Sequence, residues 1–215
     1  QVAIVNAGGI TQIFEAMKNH KEFWKVQDCA CELLFYLADN STDNQVAIVN
    51  AGGILQIDNA MRNHKESQVV QQYTHKFLGN LRDNIANNQI ASSLQGDTKK
   101  VCQILFQMKS YMESEFYLIY NIGRLYALVV DDANNCVTFV HLGGIPQILE
   151  AMKNHKKSQK VQEYGCKLLF LLLTDSNNWI AIVNAGGRCQ IQEAIKNHDM
   201  PEWVFHEYMI SLNEW

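Results

Sequence analysis

The sequence predicts an all-α chain built as a solenoid of five three-helix repeats. Residues Gln45 to Ile54 restate Gln1 to Ile10 letter for letter. Gly-Gly pairs begin at Gly8, Gly52, Gly143 and Gly186, with a lone Gly96 between, so these glycines fall 44, 44, 47 and 43 residues apart. After each of them, apolar residues recur at helical spacing. Units of this size cannot bury their apolar faces alone, and stacking neighbours makes a continuous core. The repeats run approximately 1–44, 45–88, 89–134, 135–178 and 179–215. The expected product is a right-handed superhelix whose third helices line one concave wall. Neither Gln1 nor Trp215 lies in a polar cap, so the array is read as part of a longer protein, with Val2, Ile4, Val5, Ile210 and Leu212 left as uncovered apolar positions.

In the first repeat, Gln1 to Ala7 reads as a short helix closed by Gly8 and Gly9. Ile10, Ile13, Phe14 and Met17 then form one stripe of a second helix ending at Asn19 and His20. A third helix runs from about Phe23 to Ala38 on Val26, Ala30, Leu33, Leu34 and Leu37, and polar residues 40–44 cap the next short helix. The second repeat restates this plan with Ile54, Ile57 and Met61, then Val70, Thr74, Phe77, Leu78 and Leu81. The third diverges: Asp97 and Thr98 follow Gly96, the second-helix stripe moves to Val101, Ile104, Leu105 and Met108, and a long helix from Phe116 to Val130 carries Leu118, Ile122, Leu125 and Tyr126. The fourth returns to form, with Pro146 in a first helical turn where a missing amide hydrogen costs least. The fifth begins at Trp179 and ends in a helix from about Pro201.

Lys plus Arg total 18 against 22 Asp plus Glu, a net charge of −4, and that balance argues against a nucleic-acid or acidic-membrane partner. No apolar run approaches the ~20 residues of a spanning helix, so direct membrane insertion is not expected. The six cysteines have no framework spacing and read as reduced thiols of an intracellular, cytoplasmic protein, with Cys31 and Cys166 equivalent and buried.

Four in-register Asn-His pairs, at His20, His64, His155 and His198, invite a metal reading. Packed helices stand about 8 to 10 Å apart, whereas zinc ligands lie about 2 Å from one ion, so the pairs read instead as helix ends, Asn in left-handed geometry and His at the negative end of the dipole. His75 or His206 could serve Cys102 or Cys136 as a base, but no nucleophile elbow, phosphate loop or HExxH accompanies them. The expectation is a non-enzyme without cofactor or metal. Phe116, Tyr117 and Tyr120 cluster at the entrance and flank of the divergent third helix, and read as drift or as a specific contact.

With VNAGGI, then AMKNH, then VQxxxCxLL, the chain resembles the armadillo repeat family, to which β-catenin and the importin-α import receptors belong. The resemblance covers essentially the whole chain. It implies an armadillo-type α-solenoid, non-catalytic, that binds a partner protein or extended peptide along the third-helix groove within a larger assembly. The import receptors mark that groove with Trp and, four residues on, Asn. Here the first position holds Glu32, Lys76, Arg124, Lys167 and Ile210, and the second Tyr36, Asn80, Leu128, Leu171 and Glu214. Only Asn80 matches, so the ladder for basic nuclear-localisation cargo is absent. Lys76, Arg124 and Lys167 instead predict a line of cations suited to an acidic extended ligand, with Glu32 preceding them and Tyr36, Asn80, Leu128 and Leu171 one turn along. Long cations solvating an open helix face are the plain alternative. Two other roles fit the same pattern: a regulatory or targeting arm of a kinase or ubiquitin ligase, and an architectural subunit of a cytoskeletal or ciliary complex.

Overall fold

The computed structural model describes residues 8–86 and 93–214. Among them are 13 α-helices packed mostly in sequence, consistent with a helical repeat, and no strand. They are α1 (Gly9–Asn19), α2 (Trp24–Ala38), α3 (Thr42–Asn50), α4 (Gly53–Asn63), α5 (Gln68–Ala86), α6 (Gly96–Ser110), α7 (Glu115–Val129), α8 (Ala133–His141), α9 (Gly144–Asn154), α10 (Gln159–Leu171), α11 (Ser176–Asn184), α12 (Gly187–Asn197) and α13 (Glu202–Glu214). A 3₁₀ turn, Leu172–Thr174, follows α10. The predicted helix over Gln1 to Ala7, with Val2, Ile4 and Val5, lies outside the described residues, as does the Leu212 side chain. Ile210 is half-buried.

The helices fall into two compact units, residues 1–102 and 103–215. In the first, α2 lies along α5 and α1 along α4, while α3 joins α2 to α4. Leu34, Leu37, Ile48, Ile54, Ile57 and Leu81 are almost wholly buried between them. Each such side chain contributes about 1.5–3 kcal/mol by leaving water. In the second, α7 and α13 both pack on α10, α9 packs on α12, and α8 and α11 lie against α9. Leu118, Ile122, Leu125, Ile148, Leu168 and Leu169 are fully buried there. One predicted stripe residue is misplaced: Leu33 is 40 % exposed, because the buried side of α2 is set by Ala30, Cys31, Leu34 and Leu37 and Leu33 lies about 100° round the helix from Leu34.

Each Gly-Gly joint divides two demands between its glycines. The first takes positive φ, as at Gly52 (84°) and Gly143 (83°), which turns the chain sharply between a short helix and the next. The second admits the preceding helix: a Cβ on Gly144 would stand 2.2 Å from the Phe139 ring, and one on Gly53 would stand 2.5 Å from Ile48 Cγ2. Asp97 follows Gly96 in the divergent repeat, where the positive φ of 61° is retained.

Side-chain amides close the helix ends. Near the start of a third helix, Gln27 donates to the Met17 and His20 carbonyls at 3.0 and 2.9 Å. Gln71 does the same to Met61 and His64, and Gln162 to Met152 and His155. Asn44, Asn135 and Asn178 likewise donate to the Leu37, Leu128 and Leu172 carbonyls at 2.7, 2.9 and 3.2 Å. Orphan carbonyls at helix ends are thereby satisfied without solvent.

The Asn-His pairs end their helices, as the sequence predicts, with His as each C-cap, but these asparagines are not left-handed and three of the histidines do more. Asn19, Asn63, Asn154 and Asn197 are the last residues of their helices, and Asn40 alone among described non-glycine residues has positive φ. The imidazoles reach the preceding repeat: Nε2 of His64, His155 and His198 donates to the carbonyls of Lys21, Met112 and Lys156 at 2.7, 2.8 and 2.8 Å. Their register is therefore that of a repeated staple between neighbouring loops.

Candidate interaction surface

In the first unit, the expected groove residues sit on the paired helices α2 and α5 and belong to an aromatic cluster. Tyr36, 49 % exposed, and Phe35 stand on the last turns of α2, and Tyr73 on the second turn of α5. The three ring centroids are 5.4, 5.5 and 5.6 Å apart. Tyr73 donates its hydroxyl to Glu32 Oε1 at 2.9 Å, and the Tyr36 and Tyr73 hydroxyls are 3.3 Å apart. Hydrogen bonding to Tyr36, then to Glu32, raises the Tyr73 phenol above its ordinary range. Lys76 holds its Nζ 5.8 Å from the Phe35 centroid and 5.6 Å from that of Tyr73. Asn80, one turn on, is exposed. Glu32, Tyr36 and Lys76 are thus brought together, through two residues that the sequence reading missed, Phe35 and Tyr73.

In the second unit, Lys167 on α10 is exposed and lies 4.4 Å from the centroid of Tyr126, which belongs to α7. Arg124, half-buried on α7, lies over Tyr120 at 5.4 Å and contacts Asn121 Oδ1 at 3.4 Å. Leu128 and Leu171 are both half-buried. At all three cationic positions, then, the head group is backed by an aromatic face and no carboxylate pairs with it among the described residues. A ring quadrupole attracts a cation without cancelling its charge, so each remains able to meet an anion. The three fall in different units, Lys76 in the first and Arg124 and Lys167 in the second.

The helical spacings Tyr73–Lys76 and Tyr120–Arg124 were legible in the sequence as i,i+3 and i,i+4 pairs. The contacts Phe35–Lys76 and Tyr126–Lys167 were not, since they depend on which helix packs beside which. At the start of α7, the exposed aromatic group is real: Phe116 is 79 % exposed, and Tyr117 stacks on Tyr111 at 4.6 Å.

The cysteine and histidine candidates are placed as follows. Cys31, Cys102 and Cys166 are buried, and that burial pushes their thiols up to about 12, which keeps them protonated at neutral pH. Nδ1 of His75 turns onto the Gln71 carbonyl of its own helix. Among the described residues, no three His, Cys, Asp or Glu side chains converge as metal ligands. No described helix is long and apolar enough to cross a membrane.

No family model, curated protein or solved structure matches the chain.

Proposed function

We propose that this chain is a non-catalytic interaction module, an armadillo-type solenoid whose third helices, within each unit, offer aromatic-backed cations to an extended, acidic segment of a partner protein. The recurring seat of the cation carries this reading. Lys76, Arg124 and Lys167 occupy one equivalent position on α5, α7 and α10, and each lies over an aromatic ring. Holding a long side chain against a ring removes conformational freedom before the ligand arrives, which lowers the entropic cost of binding. A carboxylate can then approach a fixed charge from the solvent side. Exposed Tyr36 and Asn80 supply stacking and backbone hydrogen bonding, and Leu128 and Leu171 supply apolar contact. A net charge of −4 makes such a local cationic face a matter of placement and not of bulk composition.

Selection of a random peptide library on the whole chain tests it. Enriched peptides should be acidic and extended, and the triple variant Lys76→Glu, Arg124→Glu, Lys167→Glu should bind them at least roughly a hundredfold more weakly, about three surface charge pairs being reversed. Its melting temperature should stay close to that of the parent. Enriched peptides that bind the triple variant with undiminished affinity would remove the third-helix face from consideration.

A further inference from the structure

Each unit has a cavity at the same place in its repeat, where the loop after a second helix meets the start of the third. That in the first unit, about 570 Å³, is lined by Trp24, Asp28, Arg62, Lys65, Glu66 and Val69, among others. That in the second, about 910 Å³, is lined by Lys153, Lys156, Lys157, Lys160, Glu115 and Glu163, with His155 and Ser158 between. The walls are built alike. Ser67 donates to Asp28 in one, and Ser158 donates to Glu115 Oε1 at 2.6 Å in the other. The staple residues His64 and His155 line both.

The linings differ in charge at three aligned positions, at one of which neutral Gln72 becomes Glu163. Arg62 and Lys65 correspond to Lys153 and Lys156, but Glu66 becomes Lys157 and Val69 becomes Lys160. The first cavity therefore balances two cations with two carboxylates, while the second sets four lysines against Glu115 and Glu163. Nothing in the packing asks for those extra lysines, because the second repeat folds the same way without them. They are also locally unfavourable. The residue before the N-cap is Glu22, Glu66 and Glu113 ahead of α2, α5 and α7, where a negative charge meets the positive end of the helix dipole, but it is Lys157 ahead of α10. Lys160 adds a second cation inside the first turn of the same helix. Lys156 reaches Glu193 at 3.4 Å; Lys153, Lys157 and Lys160 have no carboxylate partner among the described residues.

We infer that the cavity at the start of α10 binds a compact, multiply phosphorylated group, such as the ring of an inositol polyphosphate, free or as a lipid headgroup. The chemistry favours phosphate over carboxylate. The lining holds lysines and no arginine, so it offers point charges and not the planar fork that grips a carboxylate through two bonds. Several uncommitted ammonium groups around one open hollow match an anion carrying several charges on a small frame. The α10 dipole, which opposes Lys157 and Lys160, adds to the attraction for an anion held between them. Lys160 and Glu163 stand on the same face of α10 as Lys167, but this site rests on the lysines at the start of the helix and not on Lys167.

The test uses the whole chain, with inositol hexakisphosphate in calorimetry and phosphatidylcholine vesicles bearing phosphatidylinositol bisphosphate in co-sedimentation, both at physiological salt. The variant Lys157→Glu with Lys160→Val installs the residues that the second repeat already accommodates, so it should fold, and circular dichroism checks that. It should lose binding by roughly tenfold or more. An equal change of charge in the first unit, Lys21→Glu with Lys65→Val, should leave binding within about twofold. Tighter binding to the vesicles assigns the group to a lipid, and tighter binding to the soluble probe assigns it to a free ligand. The inference is overturned if neither probe binds, if the Lys157 and Lys160 variant binds as the parent does, if the first-unit control loses as much, or if a polyglutamate peptide binds as tightly as inositol hexakisphosphate.

Discussion

The imidazole of His64 holds the Lys21 carbonyl of the repeat before it, while the amide of Gln71 holds the end of the helix that His64 follows. Two neighbouring polar residues thus perform distinct tasks, one between repeats and one within a repeat. Replacing His64 by Ala should cost about 0.5–1 kcal/mol, the net worth of a partly exposed hydrogen bond. His20 has the same local sequence, and its exposed ring makes no bond to another described residue. His20→Ala should therefore leave stability almost unchanged, and urea unfolding of the two variants side by side checks the difference. Gln162→Ala should be worse than either, about 1–3 kcal/mol, because Gln162 is buried and two helix-end carbonyls lose their donor together. Equal effects for His20 and His64 would contradict the staple. The recurrence of both residues was plain in the sequence. Their partners were not, since a carbonyl some forty residues away carries no signature of its own.

At the scale of the helix, the joint between a short helix and its successor depends on a contact that no propensity records. Gly144 and Gly123 look alike as glycines in helices, yet a Cβ on Gly144 would enter the Phe139 ring, whereas one on Gly123 would meet only Tyr164 Cε1 at 3.8 Å. Gly144→Ala should accordingly destabilise the chain by about 1–3 kcal/mol through overpacking. Gly123→Ala should stabilise it by about 0.5–1 kcal/mol, by restricting the unfolded chain and favouring the helix. Thermal melts of the two variants should move in opposite directions, and a shared direction would refute the close-approach argument. Pairing of third helices, α2 with α5 and α7 with α10, follows from the same periodicity that makes them amphipathic. It brings Phe35 under Lys76 and Tyr126 under Lys167. Spacing along one helix could suggest Tyr73 and Tyr120 as neighbours of the cations, but only the packed pairs bring Phe35 to Lys76 and Tyr126 to Lys167.

Across the whole molecule, three thiols are kept from solvent, at Cys31, Cys102 and Cys166, and their ionisation links folding to alkaline pH. In the folded chain each holds its proton up to about 12, against an ordinary value of 9.0 once unfolded. Between those values the folded state binds more protons than the unfolded one, so stability is intact below the lower value and falls as pH rises towards the upper. The double variant Cys31→Ala, Cys166→Ala should show a shallower decline of melting temperature above pH 9.0 than the parent, and an identical decline would show that these thiols do not set it. At neutral pH, a thiol reagent should label exposed Cys29 and Cys189 and spare the three buried ones until the chain unfolds. The sequence by itself determined the all-α class, the place of nearly every helix and the double-glycine joints, because helical periodicity and positive φ are properties of residues close together in the chain. Only the tertiary structure decided that the histidines bind carbonyls of the preceding repeat, that aromatic rings back the cations, and that four lysines gather at one hollow in the second unit. Those are contacts between segments far apart in the sequence, and their energies depend on distance in space, which no local pattern encodes.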